Sequence, residues 1–159
     1  AKSDSTELQD AATRLLGRWM SADAAPVLLD LAETMPNGKF RVRAMRGYIR
    51  IFRQLKLPSA KVLEMCQAAM QVAKRDKEKE LIIDTLARHP SPKALSLASA
   101  SLKSETLRDK AAAVAVTIAG KIVDKKPKAV ARAMGRVIDA GVKGDLLNQA
   151  KALRAKAAK

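Results

Sequence analysis

The chain has 159 residues, of which 48% are hydrophobic and 3% aromatic, and a formal net charge of +15 at pH 7. A chain of this length can bury roughly two-thirds of its unfolded surface, so we expect one folded domain over residues 1–159 rather than a disordered polypeptide. The single cysteine, Cys66, excludes an intramolecular disulfide and a cysteine-based metal site. No apolar run reaches the roughly 18 residues that a membrane span needs.

The positive charge predicts attraction to polyanions, namely nucleic acid, an anionic membrane surface or an acidic polysaccharide. It is concentrated in residues 121–159, which hold 11 basic and 3 acidic side chains, a net charge of +8. The alternative is a lysine-rich surface that only keeps the protein in solution, and composition leaves both interpretations open.

Hydrophobic residues recur at helical spacing along the chain, beginning with a predicted helix over residues 5–20. Its apolar face comprises Leu8, Ala12, Leu15, Leu16 and Trp19. A second helix is predicted over residues 22–35, because Ser21 or Asp23 can cap it and Pro26 suits its first turn.

The third predicted helix, over residues 39–55, has one face that is entirely cationic. Its basic residues recur every three or four positions and therefore fall on one arc, at about 100° per residue. This cationic stripe consists of Lys39, Arg43, Arg46, Arg50 and Arg53. Like charges this close destabilise a helix unless they are matched. Either they pair with acids of the preceding helix, such as Asp30 and Glu33, or they form a surface on which arginine binds phosphate or carboxylate.

Six further helices are predicted, over residues 59–73, 76–88, 92–102, 104–122, 127–141 and 145–158. Ser59, Ser91 and Asp145 are the expected N-caps, and Pro92 fits the first helical position. The acidic residues of the fifth helix alternate with lysines and are expected on a solvated face; they are Glu78, Glu80 and Asp84. The pattern as a whole predicts an all-α protein of eight or nine helices with short connections.

Weak internal repetition favours stacked helical hairpins over a bundle. The segment that begins at Leu16 matches the segment that begins at Leu86, 70 residues later. Three residues of the third helix match three of the seventh at a separation of 67: Arg41, Ala44 and Ile51 match Arg108, Ala111 and Ile118. A double period of this size means a unit of about 34 or 35 residues, which is one helical hairpin.

The chain resembles HEAT and armadillo repeats, specifically degenerate bacterial HEAT-like domains. The resemblance is carried, between about Leu8 and Ala140, by LGRWMSADAAPVLLDLA, RAMRGYIRIFRQL, LARHPSPKALSLASASL and LRDKAAAVAVTIA. It departs from the usual pattern in lacking the regular proline of the first repeat helix and the Asp-Arg ladder. The resemblance implies a right-handed α-α superhelix of about four hairpins. It also implies a non-enzymatic segment of a larger protein, exported or cytoplasmic, because such domains are often appended to exported bacterial proteins as scaffolds.

No arrangement of residues predicts catalysis, cofactor binding or a metal site. His89 is the only histidine, and we expect it to fill a proline corner equivalent to that of Trp19. Nucleophilic catalysis needs a base beside Ser or Cys, and no such pair is evident. We expect Trp19 and Tyr48 to pack at hairpin corners rather than to form a ligand platform, and we expect no enzyme.

Two functions remain. The first is a scaffold, expected to be monomeric, that binds a protein partner or an adjacent domain of the same polypeptide. The second is a basic solenoid that contacts the backbone of duplex nucleic acid, or another polyanion, with affinity that falls steeply with salt. In a solenoid, equivalent helices line one concave wall. The cationic stripe could then align there with further cations, namely Arg108, Lys110, Lys128, Arg132 and Arg136.

Overall fold

A computed structural model describes residues 5–19, 21–36 and 38–158 of the chain. Within these ranges the protein has nine α-helices and no strand, which confirms the all-α prediction. The helices are α1 Thr6–Arg18, α2 Ala25–Thr34, α3 Lys39–Gln54, α4 Ser59–Val72, α5 Asp76–Leu86, α6 Pro92–Ala100, α7 Arg108–Ile122, α8 Pro127–Asp139 and α9 Gly144–Lys156. Two 3-10 turns, Ala22–Ala24 and Ser101–Lys103, precede α2 and follow α6. Met20, the predicted last residue of the first helix, lies outside the described residues.

The chain divides into two compact units, Ala1–Ile82 and Ile83–Lys159, and the boundary falls within α5. In unit 1, α3 packs against α1, α2 and α4. Its apolar side is buried, and the rings of Tyr48 and Phe52 meet edge to face with centroids 5.8 Å apart. In unit 2, α7 packs against α6, α8 and α9, and α6 also contacts α8. The prediction of one superhelical domain stays a prediction.

The helix starts follow local chemistry, with four corrections. Ser91 caps α6 as predicted and accepts a hydrogen bond from the Ala94 N–H at 3.1 Å. Ser21 accepts the Asp23 N–H at 3.1 Å but caps the 3-10 turn, and α2 begins after it, at Ala25, with no side-chain cap. Helix α4 begins at Ser59 itself, so Pro58 is its N-cap. Helix α7 begins later than predicted, at Arg108, and α9 begins at Gly144, so Asp145 lies in its first turn.

Prolines mark the even-numbered helices at a spacing that the sequence analysis missed. Pro26, Pro58, Pro92 and Pro127 lie at the starts of α2, α4, α6 and α8, separated by 32, 34 and 35 residues. These prolines lie at helix starts, where proline is tolerated, and the departure from the usual HEAT pattern stays a prediction. Each of these prolines is followed by a buried quartet of residues spaced i, i+3, i+4 and i+7, of which Met35 and Leu102 lie just beyond the ends of α2 and α6. The quartets are Leu28-Leu31-Ala32-Met35, Val62-Met65-Cys66-Ala69, Leu95-Ala98-Ser99-Leu102 and Val130-Ala133-Met134-Val137.

Alternate helices run parallel where the structure shows their contacts. In unit 1, Arg43 contacts Asp10 and Arg50 contacts Gly17, both 33 residues away, so α1 and α3 share one direction. In unit 2, the start of α6 lies beside the start of α8, and the two C-terminal ends also meet.

One acidic residue is buried, contrary to the predicted solvated face of α5. Glu78 is 2% exposed, as is Arg41, and Glu78 Oε2 lies 3.7 Å from Arg41 Nη2. Arg41 Nη2 also donates to the Val72 carbonyl at 3.1 Å, while Glu78 Oε2 accepts the Arg75 N–H at 3.3 Å. The ion pair therefore ties α3 to the corner between α4 and α5.

Candidate anion-binding surface

The cationic stripe of α3 is largely occupied by contacts with α1. Arg43 Nη1 donates to Thr13 Oγ1 at 2.8 Å, to the Asp10 carbonyl at 3.1 Å and to Asp10 Oδ1 at 3.3 Å. Lys39 Nζ lies 3.2 Å from the same Asp10 carboxylate oxygen. Lys39 and Arg43 therefore pair with an acidic residue, as the first interpretation of the cationic stripe predicts. That residue, Asp10, lies on α1 and not on α2, where the partners were expected.

The C-terminal half of the stripe borders a cleft between α1 and α3. Arg50 donates to the Gly17 carbonyl, one of the last carbonyls of α1, where a cation is favoured by the helix dipole. Arg46 is exposed and Arg53 is half-buried. The cleft has a volume of about 390 Å³, and its lining includes Lys39, Arg43, Arg46 and Arg50.

The cations around Asp10 lower the pKa of its carboxyl group. The hydrogen bond from Lys39 lowers the pKa of the Asp10 carboxyl below 3.8, against a smaller opposing effect of desolvation. The hydrogen bond from Arg43 and the charge of Arg14, which lies 2.6 Å away, act in the same direction as Lys39. Asp10 is therefore a carboxylate at neutral pH and reduces the attraction of this cluster for an external anion.

Helix α8 presents a second row of cations, and this one is exposed. Lys128, Arg132 and Arg136 follow one another at intervals of four residues and so lie on one face of the helix. Among the described residues, none of the three forms an ion pair within 4.0 Å. Unit 2 as a whole carries 16 basic and 6 acidic residues, a net charge of +10.

A groove runs beside this row, between α6 and α8. Arg132 and Arg136 border a cavity of about 170 Å³ whose other wall includes Ser96 and Ser99 of α6. A second cavity, of about 550 Å³, shares Ser99 and Arg136 and continues to Lys103 at the end of α6. We call these two adjoining cavities the α6/α8 groove. One acid, Asp139, lines it. The groove combines cations with the exposed hydroxyl of Ser96, which can donate a hydrogen bond, and this suits an extended anionic ligand. The Ser99 hydroxyl is buried and donates to the Leu95 carbonyl.

The other predicted cations do not join the groove. Arg108 is half-buried at the first residue of α7, and Lys110 Nζ lies 3.0 Å from Asp84 Oδ1. Neither residue is among those that line the two cavities of the groove. The predicted alignment of the cationic stripe with the cations of α8 stays a prediction. Lys103 is the one groove cation that the sequence analysis missed, because it lies in the 3-10 turn that extends α6.

The remaining reactive residues do not form a cluster. Burial raises the pKa of the Cys66 thiol to about 12. His89 is half-buried, and desolvation, assisted by the charge of Arg88, lowers its pKa. Within the described ranges no three His, Cys, Asp or Glu residues are placed to hold a metal ion. None of the helices described is long and apolar enough to cross a membrane.

Comparison of the chain with protein-family models, curated proteins and solved structures finds no match.

Proposed function

We propose that the chain is a non-enzymatic, HEAT-like helical-repeat scaffold that binds a protein partner or an adjacent domain. The observation that carries this proposal is the regular placement of Pro26, Pro58, Pro92 and Pro127, each followed by a buried quartet with the same spacing. Repeats of this kind bury their apolar faces against neighbours and leave grooves between equivalent helices, which scaffolds use for binding.

The α6/α8 groove is the binding surface that we assign to unit 2. Its walls come from two equivalent helices, and Arg132 and Arg136 border it without an ion-pair partner among the described residues. A partner protein that presents carboxylates would gain bidentate hydrogen bonds from these guanidinium groups. The exposed serine Ser96, on the opposite wall, would then lie close to the bound chain.

Site-specific crosslinking tests the scaffold proposal. A photo-reactive amino acid at Ser96, in the groove, is compared with one at Ala113, an exposed position on α7 that does not line the groove. After illumination of the cells that produce the protein, we expect the Ser96 variant to form one defined crosslinked product, which mass spectrometry identifies as a crosslink to another protein. We expect the Ala113 variant to form none. Equal crosslinking at both positions would contradict the proposal.

A second candidate function is the binding of duplex nucleic acid or another polyanion, and the net charge of +10 on unit 2 favours it. Phosphate contacts release counterions, so affinity for a labelled duplex should fall by about tenfold or more over a fourfold rise in salt. The variant Arg132→Glu with Arg136→Glu should abolish this binding. The control, Lys125→Glu with Lys151→Glu, makes the same charge change at two exposed positions outside the groove. No duplex binding at low salt would remove duplex nucleic acid as the ligand, and equal loss in both variants would remove the α6/α8 groove as its binding site.

A further inference from the structure

Helix α1 carries an apolar stripe on the side that faces away from α3. Leu8, Leu15 and Trp19 are 61%, 69% and 61% exposed. They lie within about 40° of one another around the helix, at 100° per residue. The polar side of α1 is the packed one: Thr13 is 1% exposed, and Asp10 is largely covered by α3. The prediction that Trp19 packs at a hairpin corner is therefore wrong.

The face of α3 that is equivalent to the apolar stripe of α1 is covered by other helices. The contacts of Arg43 with Asp10 and of Arg50 with Gly17 each join residues 33 apart, and at this separation Leu15 corresponds to Tyr48 and Trp19 to Phe52. Tyr48 is 4% exposed and Phe52 is 2% exposed, because α2 and α4 pack against α3. The residue types of α1 are thus those of a helix with a covered face, and a row of three large apolar side chains is costly to leave in water.

The charged residues beside the apolar stripe of α1 favour one direction for a helix that covers this stripe. Glu7 is exposed near the start of α1, and Arg14 and Arg18 are exposed in its second half. An antiparallel helix would place its N-terminal end beside Arg14 and Arg18 and its C-terminal end beside Glu7. Acidic residues at the start and basic residues at the end of that helix are the arrangement that its own dipole favours.

We propose that this stripe is the docking site for one amphipathic helix of a binding partner, antiparallel to α1. That helix presents aliphatic residues at i, i+3, i+4 and i+7, as α2 does toward the core of unit 1, and carries an acidic residue near its start. A helix in this place would pack on α1 as α2 packs on α3, and would therefore extend the packing of unit 1 beyond α1. The inference rests on the proposed scaffold function and names the type of partner, but it uses a surface other than the α6/α8 groove.

The fluorescence of Trp19 measures whether the apolar stripe of α1 is covered, because Trp19 is the only tryptophan in the chain. The first probe is a synthetic peptide of residues 21–35 with blocked ends and the change Glu33→Lys, which contains the α2 quartet, Asp23 near its start and a basic residue near its end, but no tryptophan. Titrated into the full chain, it should shift Trp19 emission to shorter wavelength and lower acrylamide quenching toward that of a covered ring. Leu15→Glu should abolish the shift, whereas Val27→Glu, at an exposed position on α2, should not.

A second measurement covers the case in which the isolated peptide is too poorly ordered to bind. The same 15-residue segment is joined by a short glycine-serine linker to the start of the full chain, which raises its effective concentration at the stripe. We expect the emission shift together with a higher melting temperature, and the loss of both in the Leu15→Glu variant.

Exposed Trp19 in both the peptide titration and the fusion would overturn the proposal. So would a blue shift of the unmodified chain that grows with protein concentration and follows its sedimentation as a dimer, because the occupant would then be a second copy. Crosslinking at Ser96 is measured independently, so failure of this inference is distinguishable from failure of the scaffold proposal.

Discussion

Gly47 of α3 and Gly17 of α1 lie so close that a Cβ atom added at Gly47 would be 3.1 Å from Gly17 Cα. The same Cβ would lie 3.3 Å from both terminal methyl groups of Leu28. The absence of a side chain at Gly47 therefore sets how closely α1 can approach α3 and helps to position Asp10 for Arg43.

Gly47→Ala should destabilise the protein, although alanine is a better helix former than glycine. The methyl group must displace backbone on one side and Leu28 on the other, and overpacking of this kind costs about 1–3 kcal/mol. The matched control is Gly120→Ala in α7, where an added Cβ meets nothing within 4 Å. We expect this control to stabilise by about 0.5–1 kcal/mol. Urea unfolding of both variants measures the difference, and stabilisation by Gly47→Ala would contradict the close approach of α1 and α3.

The buried ion pair predicts a strongly non-additive response. Arg41→Met or Glu78→Leu alone leaves one charge buried without its partner, which costs about 3–5 kcal/mol. Both changes together remove both charges, so the double variant should be more stable than the sum of the single effects allows. Lys77→Met, at an exposed position on the same helix, is the control and should have little effect. Additive losses in a double-mutant cycle by urea unfolding would show that the two charges do not interact.

Cys66 should react with thiol reagents only when the protein opens. Its side chain is fully buried, and burial raises its pKa to about 12, so thiolate and access are both lacking at neutral pH. We expect labelling in native buffer to be slower than that of an exposed thiol by orders of magnitude and to accelerate with urea in step with unfolding. The control combines Cys66→Ala with Ala60→Cys, an exposed position on the same helix. Equal native rates for the two thiols would be incompatible with the buried position of Cys66.

The lowered pKa of Asp10 should make part of the protein's folding stability depend on pH in the acid range. Its carboxyl pKa is lowered in the folded protein, first by the hydrogen bond from Lys39, so the unfolded chain binds the proton more readily. The stabilisation is therefore fully present above the unfolded value of about 3.8 and is lost as pH falls below it, through the folded pKa. Asp10→Asn should be less stable than the native protein at neutral pH, and the difference should shrink in acid. The control Glu105→Gln, exposed in the turn before α7, should show a smaller difference at neutral pH in the same urea titrations. A difference for Asp10→Asn that does not change with pH would exclude the charge as its cause.

Periodicity predicted the helices of this protein well, because each has an apolar or cationic face that spacing alone reveals. It could not identify the neighbour of each face. The stripe residue Arg43 was correctly placed on one arc with Lys39, yet its partners Asp10 and Thr13 lie 30 or more residues away on α1. Arg41 lies only two positions from Arg43 but is buried.

Two further errors have physical causes. Trp19 was expected to be buried because large apolar residues usually are, but α1 uses its polar side to reach the arginines of α3. Glu78 was expected in water because lysines surround it in the sequence, whereas its helical position turns it toward Arg41. The regular prolines were visible in the sequence and could have identified the even-numbered helices before the structure did.

The pairing of near neighbours has a consequence for how the protein folds. The helix pairs that make the main contacts are at most two helices apart along the chain, as in α1 with α3 and α7 with α9. The contacts between these helices therefore close loops of tens of residues and do not span the whole chain, and shorter loops cost less entropy to close. Either unit can acquire native contacts before the other is complete, so newly synthesised chain need not remain unfolded until the last helix emerges.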